Sequence, residues 1–168
     1  PDTIAAFFAE PVMGAGGVIV PPATYFERIQ PILRKYDILF VVDEVICGFG
    51  RTGSMFATQT FGLEPDVMTV AKALSAGYVP ISANLVSGPL YDVVLAQSDK
   101  HGIFGHGYTY SAHPLACAAG LAVLDIYKEE GLFENCASLA KYWEDAVHSL
   151  KGIKNVIDLR NMGLIAGI

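Results

Sequence analysis

The uninterrupted apolar run over residues 38–42, Ile-Leu-Phe-Val-Val, closed by Asp43 and Glu44, constrains this chain more than any other segment. Its side chains do not alternate between apolar and polar, so a strand built from it needs cover on both faces, which is the situation of an interior strand in a parallel sheet. Shorter apolar runs over 4–9, 67–71 and 83–86 read as further strands. Between and after them lie helix-period segments over 23–36, 89–97, 114–131 and 132–150. This order predicts an α/β fold with a mostly parallel sheet and helices on both faces.

The first helix is predicted to bury Tyr25, Ile29, Ile32, Leu33 and Tyr36, with a kink at Pro31. The third, opened by Pro114 and ended by Gly131, is made of small residues that let it pack closely on the sheet. The last is predicted to bury Leu132, Cys136, Leu139, Trp143, Val147 and Leu150. The tail over 155–168 reads as strand, turn and strand, the start of a different structural unit. Residues 1–130 are therefore expected to belong to one structural unit, and 131–168 to a linking helix and the beginning of another.

Composition narrows the partners. The chain has 168 residues, 52% of them apolar and 17% charged, which suits one domain with a buried core and excludes a disordered tail. With 17 acidic against 11 basic side chains the net charge is −6, so neither nucleic acid nor an anionic membrane is attracted over long range. No apolar run approaches the roughly 18 residues of a membrane span. The three cysteines, Cys47, Cys117 and Cys136, contain no C-x-x-C pair, which favours reduced thiols and a cytoplasmic address. The chain opens at Pro1 without methionine or signal-like segment and stops at Ile168 in an apolar stretch, so it is expected to be a piece of a longer one.

The segment ILFVVDEVICGFGRTG admits three chemistries. An apolar strand ending in Asp43-Glu44 resembles the magnesium-binding strand of P-loop ATPases, but the chain has no G-x-x-x-x-G-K-[ST] to cradle phosphate. Gly48, Gly50 and Gly53 spell G-x-G-x-x-G, with Asp66 downstream as a ribose partner. In a dinucleotide site, however, the first glycine directly follows the strand and the last lies in a helix, whereas here DEVIC intervenes. The third reading pairs Asp43 at the end of one strand with Lys72 at the end of the next, both at the sheet edge where open α/β sheets bind ligands. The apolar residues before Lys72 favour desolvation, which lowers an amine's pKa and frees it for Schiff-base chemistry.

The run FVVDEVICGFGRTG followed by PDVMTVAKALSAG closely resembles the signature of class III aminotransferases, pyridoxal-phosphate enzymes of fold type I. AEPVMGAGGVIVPP resembles the family's preceding block and HGYTYSAHPLACAAGLAVL its next one, so the likeness covers the chain to about residue 124. NVIDLRNMGLIAGI resembles the start of the family's small C-terminal domain, and the wording of HGYTYSAHP and NVIDLRNMG is most similar to the ω-amino acid or amine:pyruvate aminotransferases. The resemblance implies a transaminase that moves an amino group from an ω-amino acid or primary amine to a keto acid such as pyruvate, by a ping-pong route through a Schiff base on Lys72. Other members, such as γ-aminobutyrate or ornithine aminotransferases, aminomutases and racemases, share that lysine chemistry.

Carried over by residue, the resemblance makes Lys72 the catalytic and cofactor-holding lysine and Asp43 the partner of the pyridine nitrogen. Val45 would pack on one ring face, and Glu10 would lie near the cofactor. Thr109, with Tyr108 beside it, would bind the cofactor phosphate of a neighbouring subunit, which implies at least a homodimer. A carboxylate about 4 Å from a pyridinium at an effective dielectric near 20 is worth about 4 kcal/mol, roughly three pKa units, enough to keep the nitrogen protonated. The family's phosphate-cradling Gly-Ser loop and carboxylate-binding arginine have no counterpart here, so the piece alone is expected to be inactive. Arg51 could reach a substrate or phosphate or form a structural salt bridge. His101, His106 and His113 have only Asp99 as a nearby carboxylate, and no metal is expected from them.

Overall fold

The computed structural model describes residues 3–168. Its larger sheet runs in the order β1 (Ala6–Ala9), β2 (Leu39–Asp43), β3 (Val67–Val70) and β4 (Ala83–Val86). The first three strands are parallel, and β4 returns antiparallel along β3. Phe40, Val41 and Val42 are all buried. Since successive strand residues point to opposite faces, β2 is covered on both sides, as its unbroken apolar run predicts.

On one face, α1 (Tyr25–Lys35) sets Phe26 and Leu33 against Ile38, Phe40 and Val42, with Leu63 completing the cluster. The expected stripe is therefore displaced by about one position. Ile29 and Leu33 belong to it, while Tyr25, Ile32 and Tyr36 are exposed. Adjacent aromatics at 25 and 26 offer two stripes of equal period, and the ring without a hydroxyl goes inward because it leaves no polar atom to satisfy. The helix continues through Pro31.

A second cluster gathers Phe49, Val70 and Leu74 with Met68, Ile81, Leu124, Tyr127 and Phe133. It lies beneath α4 (Pro114–Glu129) and the first turn of α5 (Leu132–His148). The small residues of α4 do permit close approach, but to the turn that follows β3 rather than to the strands: a Cβ added at Gly120 would sit 3.7 Å from the Leu74 carbonyl oxygen. The expected α5 stripe is covered in part, with Leu132, Cys136 and Leu150 half-buried. Val147 is buried, whereas Leu139 and Trp143 are exposed. Between β4 and α4, α3 (Gly88–His101) buries no residue completely.

The tail forms the expected hairpin, β5 (Arg160–Met162) and β6 (Ile165–Gly167), as a separate two-stranded sheet. Met162 and Ile165 pack on Val12, Cys47 and Ala57. Gly163, at the turn, has a φ of +56°, and a Cβ there would lie 2.5 Å from the carbonyl carbon of Thr52. The neighbouring Leu164 amide donates to the Arg51 carbonyl at 2.8 Å. Arg160 Nε donates to the Gly17 carbonyl at 2.6 Å, so the hairpin is tied to both the loop after β2 and the loop before α1.

Cys47 is fully buried, donates to the Val12 carbonyl at 3.2 Å, and has its thiol pushed up to about 11 by burial, with the nearby Glu44, Glu10 and Asp43 carboxyls acting in the same direction. The folded protein holds this proton more tightly than the unfolded chain does. Stability from this group is thus complete below about pH 9 and is lost as pH rises through about 11. Denaturant midpoints measured from pH 8 to 11 should fall over that window, and Cys47→Ala should flatten the decline. Separately, Gly163→Ala should destabilise the protein by about 1–3 kcal/mol, since both the left-handed backbone and the Thr52 main chain resist a methyl group. Chemical denaturation against the unsubstituted protein measures that loss.

Candidate functional site

Parallel pairing puts the C-terminal ends of β2 and β3 at one edge of the sheet. Asp43 stands opposite Thr69 in the register, and the chain leaves β3 at Val70, so that Lys72 opens a short 3-10 turn, Lys72–Ser75, just beyond that edge. Asp43 is half-buried, and its Oδ1 accepts the Val45 amide at 2.9 Å, which fixes the carboxyl to the backbone two residues on. Among the described residues its other oxygen accepts no hydrogen bond.

Lys72 is exposed and sits at φ +45°, in the left-handed region. The expectation of a desolvated amine is therefore not met by this chain: the apolar residues before Lys72 are in the strand, while Lys72 itself has emerged onto the rim. Its turn is held from α4, where the Tyr127 hydroxyl donates to the Ala73 carbonyl at 2.6 Å. Burial raises the Tyr127 pKa, partly opposed by the positive charge of Arg51.

Two cavities open along this edge. Lys72 lines one of about 490 Å³ with Phe49, Gly50, Arg51, Tyr127 and Cys136. Asp43 and Glu10 line another of about 510 Å³ with Phe8, Pro11 and Tyr25. Asp43 and Lys72 thus share an edge but not a cavity. Glu10 follows β1, and its Oε2 accepts the Gly14 amide at 2.9 Å, so one of its oxygens already serves the loop before α1. Val45 contributes the amide that holds Asp43. Tyr108 and Thr109 line neither cavity; they lie on the exposed stretch between α3 and α4, where the Tyr108 amide donates to Ser111 Oγ at 3.1 Å.

The glycines of GFGRTG serve packing. A Cβ at Gly48 would meet the Glu44 carbonyl oxygen at 2.8 Å; one at Gly50, where φ is +98°, would meet Cys136 Sγ of α5 at 2.9 Å. No helix begins within the loop, because α2 (Ala57–Thr60) starts only after Phe56. Asp66 is committed elsewhere: its Oδ2 accepts the Phe40 amide at 2.8 Å near the opposite edge of the sheet. The dinucleotide reading therefore has neither phosphate cradle nor ribose acceptor. Arg51 forms no ion pair among the described residues, so of its two expected roles the structural salt bridge is absent there. The histidines are dispersed: His101 lines a groove with Phe104, and His106 stacks edge-on against Tyr108.

Sequence reasoning missed two side chains. Glu44 is fully buried and accepts three hydrogen bonds, from the Ala57 amide at 3.2 Å and from the Thr58 amide and hydroxyl, both at 2.5 Å. This also removes it from the metal-binding reading, since its carboxyl is already used at the start of α2. An acid placed directly after an apolar strand is the signal that could have marked it, because a carboxyl there needs internal donors. Tyr127 carried no such signal, for its partner Ala73 is distant in sequence.

The sequence pattern of the family described as aminotransferase class-III matches residues 1–168, the whole chain. A protein named gamma aminobutyrate transaminase 3, chloroplastic, from Solanum lycopersicum is 53% identical over 99% of this chain and 32% of its own length. The vanillin aminotransferase of Capsicum chinense is 51% identical over 98% of this chain and 36% of its own. Among solved structures, the omega transaminase from Pseudomonas jessenii in complex with PMP superposes with a TM-score of 0.95 at 51% identity, over 99% of this chain and 37% of that one. This chain spans about a third of the length of the relatives it matches.

The Tyr127 contact is directly testable. Tyr127→Phe should cost about 1 kcal/mol of unfolding free energy by leaving the Ala73 carbonyl without its partner. Urea denaturation reads that loss.

Proposed function

The chain belongs to the class-III aminotransferases, and on that footing we propose that the protein it forms part of is a pyridoxal-phosphate-dependent transaminase in which Lys72 is the catalytic lysine. The observation that carries this reading is the shared edge: parallel pairing brings Asp43, fixed by the Val45 amide, and Lys72 to adjacent strand ends. The donor set suits the cofactor. Lys72 is an exposed amine with no ion-pair partner among the described residues, and Asp43 has one oxygen uncommitted.

In this reading Lys72 holds the cofactor through its amine and Asp43 pairs with the ring nitrogen, while Val45 covers one face and Glu10 stands nearby. When bound, the cofactor supplies an electron sink for the carbon from which a proton is taken. The protein supplies the rest. Asp43 would keep a positive charge favourable at the ring nitrogen, and the Lys72 Nζ would be the base that carries the proton. Thr109 and Tyr108, both exposed on their loop, are assigned to the cofactor phosphate in a second copy of the chain, which makes the working enzyme at least a homodimer.

The donor is an ω-amino acid or primary amine and the acceptor a keto acid such as pyruvate. The names of the relatives, gamma aminobutyrate transaminase, vanillin aminotransferase and omega transaminase, support that class. Residues 131–168 are assigned to a linking helix and the start of a smaller domain. The cytoplasmic address rests on the three free thiols alone; relatives are named chloroplastic and mitochondrial, and no helix among the described residues is long and apolar enough to cross a membrane.

In the full-length protein supplied with pyridoxal phosphate, an absorbance band near the visible edge should appear and be removed by borohydride, with the label recovered on the peptide containing Lys72. Lys72→Ala should abolish both the band and transamination. Nicotinamide binding that survives Lys72→Ala, with no such band in the parent, would replace this reading with that of an oxidoreductase.

A further inference from the structure

We infer that Glu44 is a positioning residue for Asp43: a buried carboxyl that locks the end of β2 so that Asp43 presents a fixed oxygen to the cofactor. The inference rests on the assignment of Asp43 to the ring nitrogen made above. Glu44 lies between Asp43 and Val45, the two residues placed against the ring, and is fully buried.

Three parts of Glu44 are held independently. Its amide donates to the Thr69 carbonyl at 2.9 Å, which extends the β2–β3 ladder one residue past Asp43 on the strand that leads to Lys72. Its carbonyl accepts the Gly48 amide at 2.8 Å, closing the turn that carries Val45. Its carboxyl accepts the Ala57 and Thr58 amides and the Thr58 hydroxyl. With backbone and side chain both fixed, the peptide planes on either side of Glu44 have no freedom to rotate, and neither does the Asp43–Val45 turn built on them.

The pattern of acceptors makes the carboxyl hard to replace. Both oxygens face donors, Oε2 the Ala57 amide and Oε1 the Thr58 amide and hydroxyl. A glutamine at this position keeps the shape but must aim an NH₂ at one of those donors. The loss is therefore local, at the strand end, without an emptied volume in the core.

The test uses the full-length enzyme loaded with pyridoxal phosphate and a double-mutant cycle between Glu44 and Asp43, read by the rate of cofactor release and by the pH titration of the bound cofactor's visible band. Glu44→Gln should speed release by about tenfold, the scale of one hydrogen bond to a charged group, and shift the titration in the direction Asp43→Asn shifts it. In an Asp43→Asn background it should add little, because the group it positions is already changed. Equal effects of Glu44→Gln in both backgrounds would overturn the proposal, as would unchanged release from a folded variant. Should Glu44→Gln fail to fold, Thr58→Val, which removes only the hydroxyl donor, replaces it in the same cycle, with a smaller effect in the same direction expected and an absent or additive effect decisive against it. A parent enzyme that acquires no band with pyridoxal phosphate overturns the functional assignment itself, whereas a normal band with additive effects overturns only the role of Glu44.

Discussion

The organisation of this chain depends on one constraint, that β2 is apolar on both faces and so has to run through the interior. A strand in that position has its backbone groups paired on both sides, here to β1 and β3, and the parallel direction of all three delivers their C-terminal ends to one edge. The polar residues that follow emerge together. Asp43 stays half-buried because its strand ends there, Glu44 is drawn inward by the donors of α2, and the chain after β3 turns over as soon as Lys72 clears the ladder. The chemistry at the rim is a consequence of which residues stand where the hydrogen-bond ladder stops.

What could be read from the residues in advance follows from the range of the forces involved. Unbroken apolar runs reported the interior strands because burial of both faces is a local requirement on each residue. The tail was legible as strand, turn and strand, although β5 itself, Arg-Asn-Met, is not an apolar run. The α1 and α5 stripes were less so. Phe26 rather than Tyr25 faces the sheet, and Leu139 and Trp143 face outward, because helical periodicity gives the angle of a stripe but not which neighbour will cover it.

The site shows the same division. That Asp43 and Lys72 share an edge could be deduced from strand order. That Lys72 would be exposed could not, since β3 ends at Val70 and only Ala71 separates it from the turn that carries Lys72 outward. The glycines of GFGRTG invited a ligand-binding interpretation because the spacing of a phosphate loop and that of a tightly packed turn are the same in one dimension. Only the placement of α5 and of the tail hairpin shows Gly50 against Cys136 and the 51–52 backbone beneath Gly163.

The backbone at Lys72 has a consequence beyond geometry. An L-residue with a side chain at φ +45° carries a penalty on the order of 1–2 kcal/mol that glycine escapes. Lys72 shares this conformation with Val18, Asp37, Phe49, Ala76, Ala112 and Asn155, so the fold accepts such strain at several turns. A library of variants ranked by stability alone would favour glycine over Lys72, the residue proposed above as catalytic, so thermostability screens on such a scaffold need activity as a second filter.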